Sequence, residues 1–514
     1  MIIPGVSALA LAGALQLSPS EGSPVLTSTV ETIISAPAYE RTSWGLFAID
    51  VATGKVLARL NSDRFFAPGS VAKLYAASAA LGLAGPDFRY HTAVYRLGAI
   101  SQAGELTKPL VLVGSGDPSM GGRSDGEGGI IYRNHDHLDG RYGGTLTGSD
   151  ALAGLRSLAK QVASYGIRRL SGGCVVDDRL FDCSSFSTMG ASRPSAIDVN
   201  DNLMDISFAL GPGQHVKAKL SPPEAGYPIE GDVRVSQTEG TDISAQLDRG
   251  VIKVAGTLNA DDDDHIEVIP VANPAAFARR LFIGCLREIG VRVGATPLDS
   301  NPTELLSDAS AYIPANKVAE IVSPPLSASI KWVLKVSANM HANELPFLLA
   351  SLDHRSDFFD GIQKQKVYLV SIGVDPTTVS LSDGAGLDQA DRVTPQGVVS
   401  LLLAIRKQSY YNQLKQALPI LGVDGTLATA SSIDDTAHGQ VWAKTGTLLN
   451  YDQMNRHLNL STKALAGYMV TAKGREIAFA IIANNIPLET YEQIGKHANT
   501  LATICSTWYK EFDQ

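Results

Sequence analysis

The chain contains little cysteine. Four cysteines occur in 514 residues, at positions 174, 183, 285 and 505. They are too few for a disulfide scaffold, and their spacing fits no set of metal ligands. Cys174 and Cys183 are close enough in sequence to be joined by a disulfide in an oxidising compartment. A pair of buried thiols is an equal alternative.

The chain also has no excess of positive charge. Lys and Arg total 43 against 52 Asp and Glu, so the net charge is −9, and aromatic residues make up 7% of the chain. No basic cluster or aromatic stacking motif interrupts this pattern. We therefore predict no nucleic-acid partner.

No apolar run reaches the length of about 18 residues that a membrane-spanning helix needs. Residues 4–17 have the apolar and small side chains of a secretory signal, but no Lys or Arg precedes Arg41. Either the true start lies upstream, or this segment is a disordered apolar end. We predict a signal-like or disordered N-terminus over residues 1–37.

The short run His135-Asp-His137-Leu-Asp139 resembles a metal-binding sequence. It lies between Gly121 and Gly148, a stretch with nine glycines that indicates a long mobile loop. A rigid ligand set is not expected in such a loop. We predict neither a metal nor a cofactor.

What the chain does contain is a serine followed three residues later by lysine, Ser70-Val-Ala-Lys73, at the start of an alanine-rich, helix-favouring run. Positions i and i+3 share a helix face, so the Lys73 amine can lie beside the Ser70 hydroxyl and act as its base. Ser157 and Lys160 repeat the pattern, and we interpret that copy as part of an ordinary amphipathic helix.

Two further motifs occur once each: Ser337-Ala-Asn339 and Lys444-Thr-Gly446. The second lies in an apolar run that indicates a strand. Gly446 has no side chain, so a peptide could approach this strand closely and pair with its backbone. Lys444 and the hydroxyls of Thr445 and Thr447 suit a terminal carboxylate.

The three motifs in this order resemble those of penicillin-binding proteins and serine β-lactamases. The chain is similar to D-alanyl-D-alanine carboxypeptidases/endopeptidases of the low-molecular-mass penicillin-binding class, which carry a large insertion between their first two motifs. The resemblance extends from about residue 40 to residue 505. It includes stretches beginning at Leu112, Val175, Ser195, Ser323, Asp383, Gly422 and Ala464.

The resemblance implies a role for each motif residue. Ser70 would be the nucleophile and Lys73 its base. Ser337 would pass a proton to the leaving amine, and Asn339 would hold Lys73 and the substrate carbonyl. The Ser70 and Thr447 N–H groups would stabilise the oxyanion, and Lys444 would bind the substrate. The following residues are the candidates: catalytic Ser70, Lys73, Ser337, Asn339 and Lys444; substrate-binding Thr445, Gly446, Thr447, Asp177 and Asp178.

The sequence departs from the family pattern at three places. Ala338 replaces a frequent aspartate, Ala385 replaces a serine, and Gln389 stands where an arginine often follows. The resemblance places the acidic pair Asp177 and Asp178 over the cleft, where it would meet the amino end of a diamino acid.

The implied fold class is α/β (α+β), with an antiparallel sheet flanked by helices and mainly β inserted domains. Ser70 and Ser337 are far apart in sequence, which predicts a discontinuous catalytic domain over 38–93 and 310–514. Residues 94–309 would form the insertion.

Three functions fit these features. The first is a serine-type carboxypeptidase/endopeptidase that acts on peptidoglycan stem peptides outside the cytoplasm and is inhibited covalently by β-lactams. The second is a β-lactamase, although no base for deacylation is evident. The third is a silent wall-binding protein, which the intact motifs disfavour. The oligomeric state stays open.

Overall fold

The computed structural model describes residues 25–513, except 135, 139–145, 185, 187–192, 212–214, 263–264, 432–435 and 492. None of the helices in these ranges has both the length and the apolar character of a membrane span. The α-helices are α1 (Ser28–Ile34), α2 (Lys73–Leu83), α3 (Ala153–Ser164), α4 (Pro274–Glu288), α5 (Leu326–Lys335), α6 (Asn339–Ser351), α7 (Phe358–Ser371), α8 (Pro395–Arg406), α9 (Tyr411–Ala417) and α10 (Gln493–Glu511).

The strands form one larger sheet and several smaller ones. They are β1 (Ser43–Asp50), β2 (Val56–Leu60), β3 (His91–Arg96), β4 (Glu105–Leu106), β5 (Leu110–Val113), β6 (Arg169–Leu170), β7 (Cys174–Asp177), β8 (Leu203–Leu210), β9 (Val216–Ser221), β10 (Ile229–Ser236), β11 (Asp242–Asp248), β12 (Val251–Asn259), β13 (His265–Pro270), β14 (Arg292–Val293), β15 (Lys317–Val322), β16 (Val379–Ser380), β17 (Arg392–Val393), β18 (Val441–Asp452), β19 (His457–Val470) and β20 (Glu476–Pro487).

The central sheet joins the two ends of the chain. Its order is β18-β19-β20-β1-β2, and every neighbouring pair is antiparallel. Side chains along β19 alternate between two apolar cores: Ala464 and Ala466 face one, and Leu465 faces the other. Because helices cover both faces, the strands are apolar on both sides. The predicted fold class, an antiparallel sheet flanked by helices, is confirmed.

Helix α2 lies in the middle of the core on one face of this sheet. Its residues from Lys73 to Leu81 are all buried, so it has no solvent-facing side over this length. A helix that is apolar all round belongs inside a domain. Small alanines allow neighbouring helices to approach closely, and α2 packs against α6 and α7. The serine–lysine motif is therefore fixed at the start of a rigid element.

The inserted part contains four smaller sheets around its own apolar core. One of them, in the order β15-β3-β5-β7, contains strands from both predicted domain limits. Strand β3 spans residue 93 and pairs antiparallel with β15, which follows residue 310. Because His91, at the start of β3, pairs with Val322, at the end of β15, we propose that the chain enters and leaves the insertion side by side along this pair.

The N-terminal segment differs in part from the sequence prediction. Residues 1–24 lie outside the described part, but Ser28–Ile34 forms α1 within the predicted disordered stretch. The Thr27 hydroxyl caps this helix by accepting from the Val30 N–H at 3.4 Å. Val30 is fully buried in the core next to α10. Burial of one apolar residue and the cap keep this short helix folded against the sheet domain.

A buried ionic cluster joins the insertion to α6. The guanidinium of Arg123 forms ion pairs with Asp136 at 2.7 Å and with Asp201 at 2.5 Å. Asp201 also accepts from His341 on α6 at 3.0 Å. The Arg123 guanidinium stacks 4.4 Å from the centre of the Trp332 ring on α5. The segment from Gly121 to Gly148 is therefore anchored where it is described, against the prediction of a mobile loop.

Both histidines of the cluster are held in the charged form. Burial opposes the charge on His137, but the Asp205 and Asp201 carboxylates outweigh it and raise its pKa to about 10. For His341, Glu344 and Asp201 likewise overcome burial and raise the pKa to about 9. The sequence motif gave no sign of this, because Asp201, which contacts both histidines, and Asp205, which contacts His137, come from a distant segment.

We expect Arg123→Met to destabilise the protein by about 3–5 kcal/mol, since it removes the guanidinium that pairs with buried Asp136 and one of the cations that pair with buried Asp201. The free energy of unfolding in urea measures this. Arg234→Met is the matched control, because the Arg234–Glu239 ion pair is exposed and should contribute less than about 1 kcal/mol. If both variants lowered the free energy of unfolding by the same amount, the structural role of the cluster would be contradicted.

Candidate active site

Ser70 lies in a tight turn directly before α2. Residues Gly69–Ala72 form a 3₁₀ turn that continues into the helix at Lys73. Gly69 has φ +52°, a left-handed conformation that favours glycine. A Cβ at this position would lie 3.1 Å from the Thr447 nitrogen on β18. The turn therefore brings the backbone around Ser70 against the edge of the central sheet.

The amine of Lys73 connects the first two motifs. It donates to Ser70 Oγ at 2.8 Å, to Asn339 Oδ1 at 2.7 Å and to the Ala385 carbonyl oxygen at 2.9 Å. The Lys73 side chain is fully buried and Ser70 is 7% exposed. The i, i+3 contact expected from the sequence is present, and Asn339 and Ala385 fix the other side of the amine.

The loop from Asp383 to Leu387 supplies the Ala385 carbonyl oxygen that accepts from Lys73. The Asp383 carboxylate accepts the backbone N–H groups of Ala385 and Leu387 at 3.0 Å each, which folds the loop back on itself. A Cβ at Gly386 would overlap the Gly69 carbonyl. Because Ala385 holds Lys73 through its backbone, the absent serine side chain does not affect this contact.

Ser337 is the second residue after α5, where the chain reverses into α6. Its φ is +62°, which is uncommon for a residue with a Cβ. The Ala338 N–H donates to the Val333 carbonyl at 3.1 Å, the bond that closes a Schellman helix end. The helix end therefore fixes the Ser337 backbone in a strained conformation, as often found at functional sites.

Lys444 on β18 connects the second motif to the third. Its amine donates to Ser337 Oγ at 2.9 Å and to the Thr445 carbonyl at 2.9 Å. Its side chain is fully buried. The Thr445 hydroxyl lies 2.7 Å from that of Thr426. All three motifs thus meet in one site, as the sequence predicts.

Gly446 and Thr447 form the part of β18 that faces Ser70. A side chain at Gly446 would overlap the Pro68 carbonyl oxygen, so glycine permits the contact between strand and turn. The Thr447 hydroxyl accepts a hydrogen bond from Lys463 on β19 at 3.0 Å. Sequence reasoning missed Lys463, although a lysine inside an apolar strand was a visible signal.

A second buried lysine, Lys335, supports the site from behind and was also missed. Its amine donates to Asp424 at 2.6 and 2.5 Å and to the Leu418 carbonyl at 2.6 Å. These contacts tie the end of α5 to the segment that leads into β18. The second motif, which follows α5, and the third motif, on β18, are therefore held at a fixed separation.

The acidic pair Asp177 and Asp178 lies at the end of β7 in the insertion. Arg179 donates to both Asp177 oxygens, at 2.8 and 2.6 Å, and the Tyr312 hydroxyl donates at 2.6 Å. Burial raises the pKa of Asp178, whose side chain is half-buried. The described contacts do not link either carboxylate to the three motifs.

Gln389 is exposed and lines a cavity of about 590 Å³. Arg64, Arg392 and Leu448 are among its other walls. Leu448 follows Thr447 directly, so this cavity continues from the motif strand. The repeated motif has a different environment: Ser157 and Lys160 are both exposed on α3, as expected for an amphipathic helix.

The cysteines and the acidic clusters add no chemistry of their own to this site. All four cysteines are free thiols, so Cys174 and Cys183 are not bridged. Two groups of side chains lie close enough to share a metal ion: Asp136, His137 and Asp201; and Asp198, His341 and Glu344. In the first group the Arg123 guanidinium already occupies the carboxylates. The positive charge of Arg123 beside these carboxylates would repel a metal ion.

A serine hydroxyl next to a lysine amine, on a helix packed against the edge of an antiparallel sheet, defines a class of serine enzymes that work through an acyl-enzyme. The sequence profile of the family described as D-Ala-D-Ala carboxypeptidase 3 (S13) matches residues 26–503. The chain belongs to this family and is a serine-type D-Ala-D-Ala carboxypeptidase.

Individual relatives agree with this assignment. The chain is 27% identical over 490 residues to a D-alanyl-D-alanine carboxypeptidase of Actinomadura sp. strain R39, with 89% of this chain and 81% of the relative covered. It is 25% identical over 508 residues to the carboxypeptidase DacB of Haemophilus influenzae, covering 95% and 94%. The crystal structure of penicillin binding protein 4 from H. influenzae has the same fold, with a TM-score of 0.70, 22% identity and coverage of 94% and 100%.

We expect Gly446→Ala to lower carboxypeptidase activity by about 100-fold, because the new methyl group pushes β18 away from the turn that carries Ser70, and small displacements of reacting groups have effects of this size. Steady-state hydrolysis of a peptide ending in D-Ala-D-Ala measures it. Gly240→Ala, where a Cβ would meet open space, is the control and should be fully active. Full activity of Gly446→Ala would contradict the close approach.

Proposed function

We propose that this carboxypeptidase removes the terminal D-alanine from peptidoglycan stem peptides, and opens cross-links between them, through an acyl-enzyme on Ser70. The observation that carries the proposal is the convergence of Ser70, Lys73 and Asn339 with the Lys444–Ser337 pair at the edge of one sheet. Each motif residue has a partner that suits its proposed role.

In the acylation step, Ser70 Oγ attacks the carbonyl carbon of the penultimate D-alanine, and its proton passes to Lys73 Nζ. A neutral Lys73 amine has two N–H groups, which suit Asn339 Oδ1 and the Ala385 carbonyl. Its lone pair then faces Ser70. The backbone N–H groups of Ser70 and Thr447 would stabilise the tetrahedral oxyanion.

The leaving amine needs a proton when the peptide bond breaks. Ser337 Oγ accepts from Lys444, so its own proton is available to the leaving nitrogen and can be replaced from Lys73. Terminal D-alanine departs as the free amine. A water molecule then attacks the Ser70 ester, and the reverse proton transfers release the shortened peptide.

The substrate backbone would lie along β18. β18 is an edge strand, so its backbone groups can pair with the substrate. The carboxylate of the terminal residue would contact Lys444 and the hydroxyls of Thr445 and Thr447. A β-lactam presents a carboxylate and a reactive amide in a similar arrangement. The H. influenzae relative has been crystallised with a β-lactam, and we propose that β-lactams acylate Ser70 here. Peptidoglycan as the substrate implies a location outside the cytoplasm.

Ser70→Ala should abolish covalent labelling by a fluorescent penicillin, with the fold unchanged because the removed hydroxyl is small. Ser157→Ala, in the exposed copy of the motif, should label like the wild type. Labelling is measured by gel fluorescence, and the modified residue is identified by mass spectrometry. An adduct on a residue other than Ser70 would refute the assignment. A long-lived adduct supports the carboxypeptidase, and rapid turnover would instead indicate a β-lactamase.

We also propose that the acidic pair recognises the amine of a diamino acid in the stem peptide. Asp177 is engaged by Arg179 and Tyr312, which leaves Asp178 as the better candidate. A partly desolvated carboxylate can add to specificity for a cationic group.

We expect the wild type to prefer a stem peptide with a free side-chain amine over its acetylated analogue. Asp178→Asn should narrow this difference in kcat/KM, and Asp177→Asn serves as the comparison in the adjacent position. If neither variant narrows the difference, the pair is structural.

A further inference from the structure

Lys463 is a buried cation directly behind the motif strand. It lies on β19 opposite Thr447, its cross-strand partner on β18. The residue is 7% exposed, and its amine donates to the Thr447 hydroxyl at 3.0 Å. The amine therefore contacts a residue proposed to bind substrate, from the side away from the cleft.

No carboxylate among the described residues forms an ion pair with Lys463. The titratable group that faces it is His497 on α10, whose pKa is lowered by burial and by the positive charges of Lys463 and Lys496. The Tyr39 hydroxyl lies 3.0 Å from the same imidazole. Burial without an anion lowers the pKa of Lys463 to about 8. A buried cation in such surroundings is costly unless an anion comes close.

The direction of the hydrogen bond determines what Thr447 can do. Because Thr447 Oγ1 accepts from the Lys463 amine, its own proton must point to another acceptor. Thr447 also belongs to the part of β18 that packs against the Ser70 turn. The hydroxyl is thereby prepared to donate to an anionic oxygen placed in the cleft.

We propose that Lys463 is a positioning residue for the terminal carboxylate of the substrate: it orients the Thr447 hydroxyl as a donor and adds a second positive charge behind it, in addition to Lys444. This inference rests on the proposed cleavage of peptides that end in D-Ala-D-Ala. The substrate carboxylate would be the anion that the described residues do not provide.

The experiment compares a peptide ending in D-Ala-D-Ala with its C-terminal amide, for the wild type and for Lys463→Met and Lys463→Gln. Methionine keeps the length of the side chain without donor or charge, and glutamine keeps a donor without charge. We expect Lys463→Met to lower kcat/KM for the free acid about tenfold, a loss of one charge-assisted contact, mainly through KM. The amide should be cleaved at an unchanged rate. Lys463→Gln should be intermediate.

The pH profile gives a readout that a merely structural role would not produce. Lys463 is charged below its pKa, so the wild-type preference for the acid over the amide should fall as the pH rises above about 8. In Lys463→Met this preference should be low and independent of pH over that range. The ratio of kcat/KM for the acid to kcat/KM for the amide does not depend on the protonation of Lys73 or on partial unfolding, since these change both values equally.

Thr447→Val provides a second route if the lysine variants do not fold. It removes the hydroxyl that Lys463 orients towards the substrate, so the preference for the acid over the amide should fall with Lys463 intact. An equal loss on acid and amide, a ratio that keeps its pH dependence in Lys463→Met, or an unchanged ratio in Thr447→Val overturns the inference. A wild type that cleaves neither peptide, although it is folded, overturns the proposed function instead.

Discussion

The whole site depends on the hydrogen bonds that one amine donates to three oxygens. Lys73 donates to its neighbour Ser70, and to Asn339 and Ala385, which are 266 and 312 positions away. Each partner belongs to a different segment, namely the turn before α2, the start of α6 and the Asp383 loop. A shift of any of these segments would turn the amine away from the serine. The packing around α2 therefore directly determines the geometry of the chemistry.

The rest of the fold keeps these segments in place. Lys335 and Asp424 tie the end of α5 to the segment before β18. His341, two residues after Asn339, is bound to Asp201 of the insertion. The insertion thus contacts the helix that carries part of the site, through charges that are buried and mutually neutralised. Such a network tolerates little displacement, because separating its members would leave charges without partners in the interior.

One positive charge beside the site is not balanced by any carboxylate among the described residues. Lys444 is fully buried at the motif strand, and Lys463 is buried behind it without a carboxylate partner among the described residues. Under our proposal, the counter-charge of Lys463 is the anionic end of the substrate.

The sequence by itself determined the motif residues and the class of fold. The spacing of Ser70 and Lys73 follows from helix geometry, and the apolar run around Lys444 is a strand because both of its faces are covered. The helices after Leu326 and Pro274 were also predictable from local patterns. Only the tertiary structure decided which distant residues complete the site. Arg123 and His137 stood in a glycine-rich stretch that indicated mobility, yet Asp201, Asp205 and Trp332 from distant segments hold them. Local patterns report the preferences of a segment, whereas a buried charge is stable only where the fold brings its counter-charge, and no single segment contains that information.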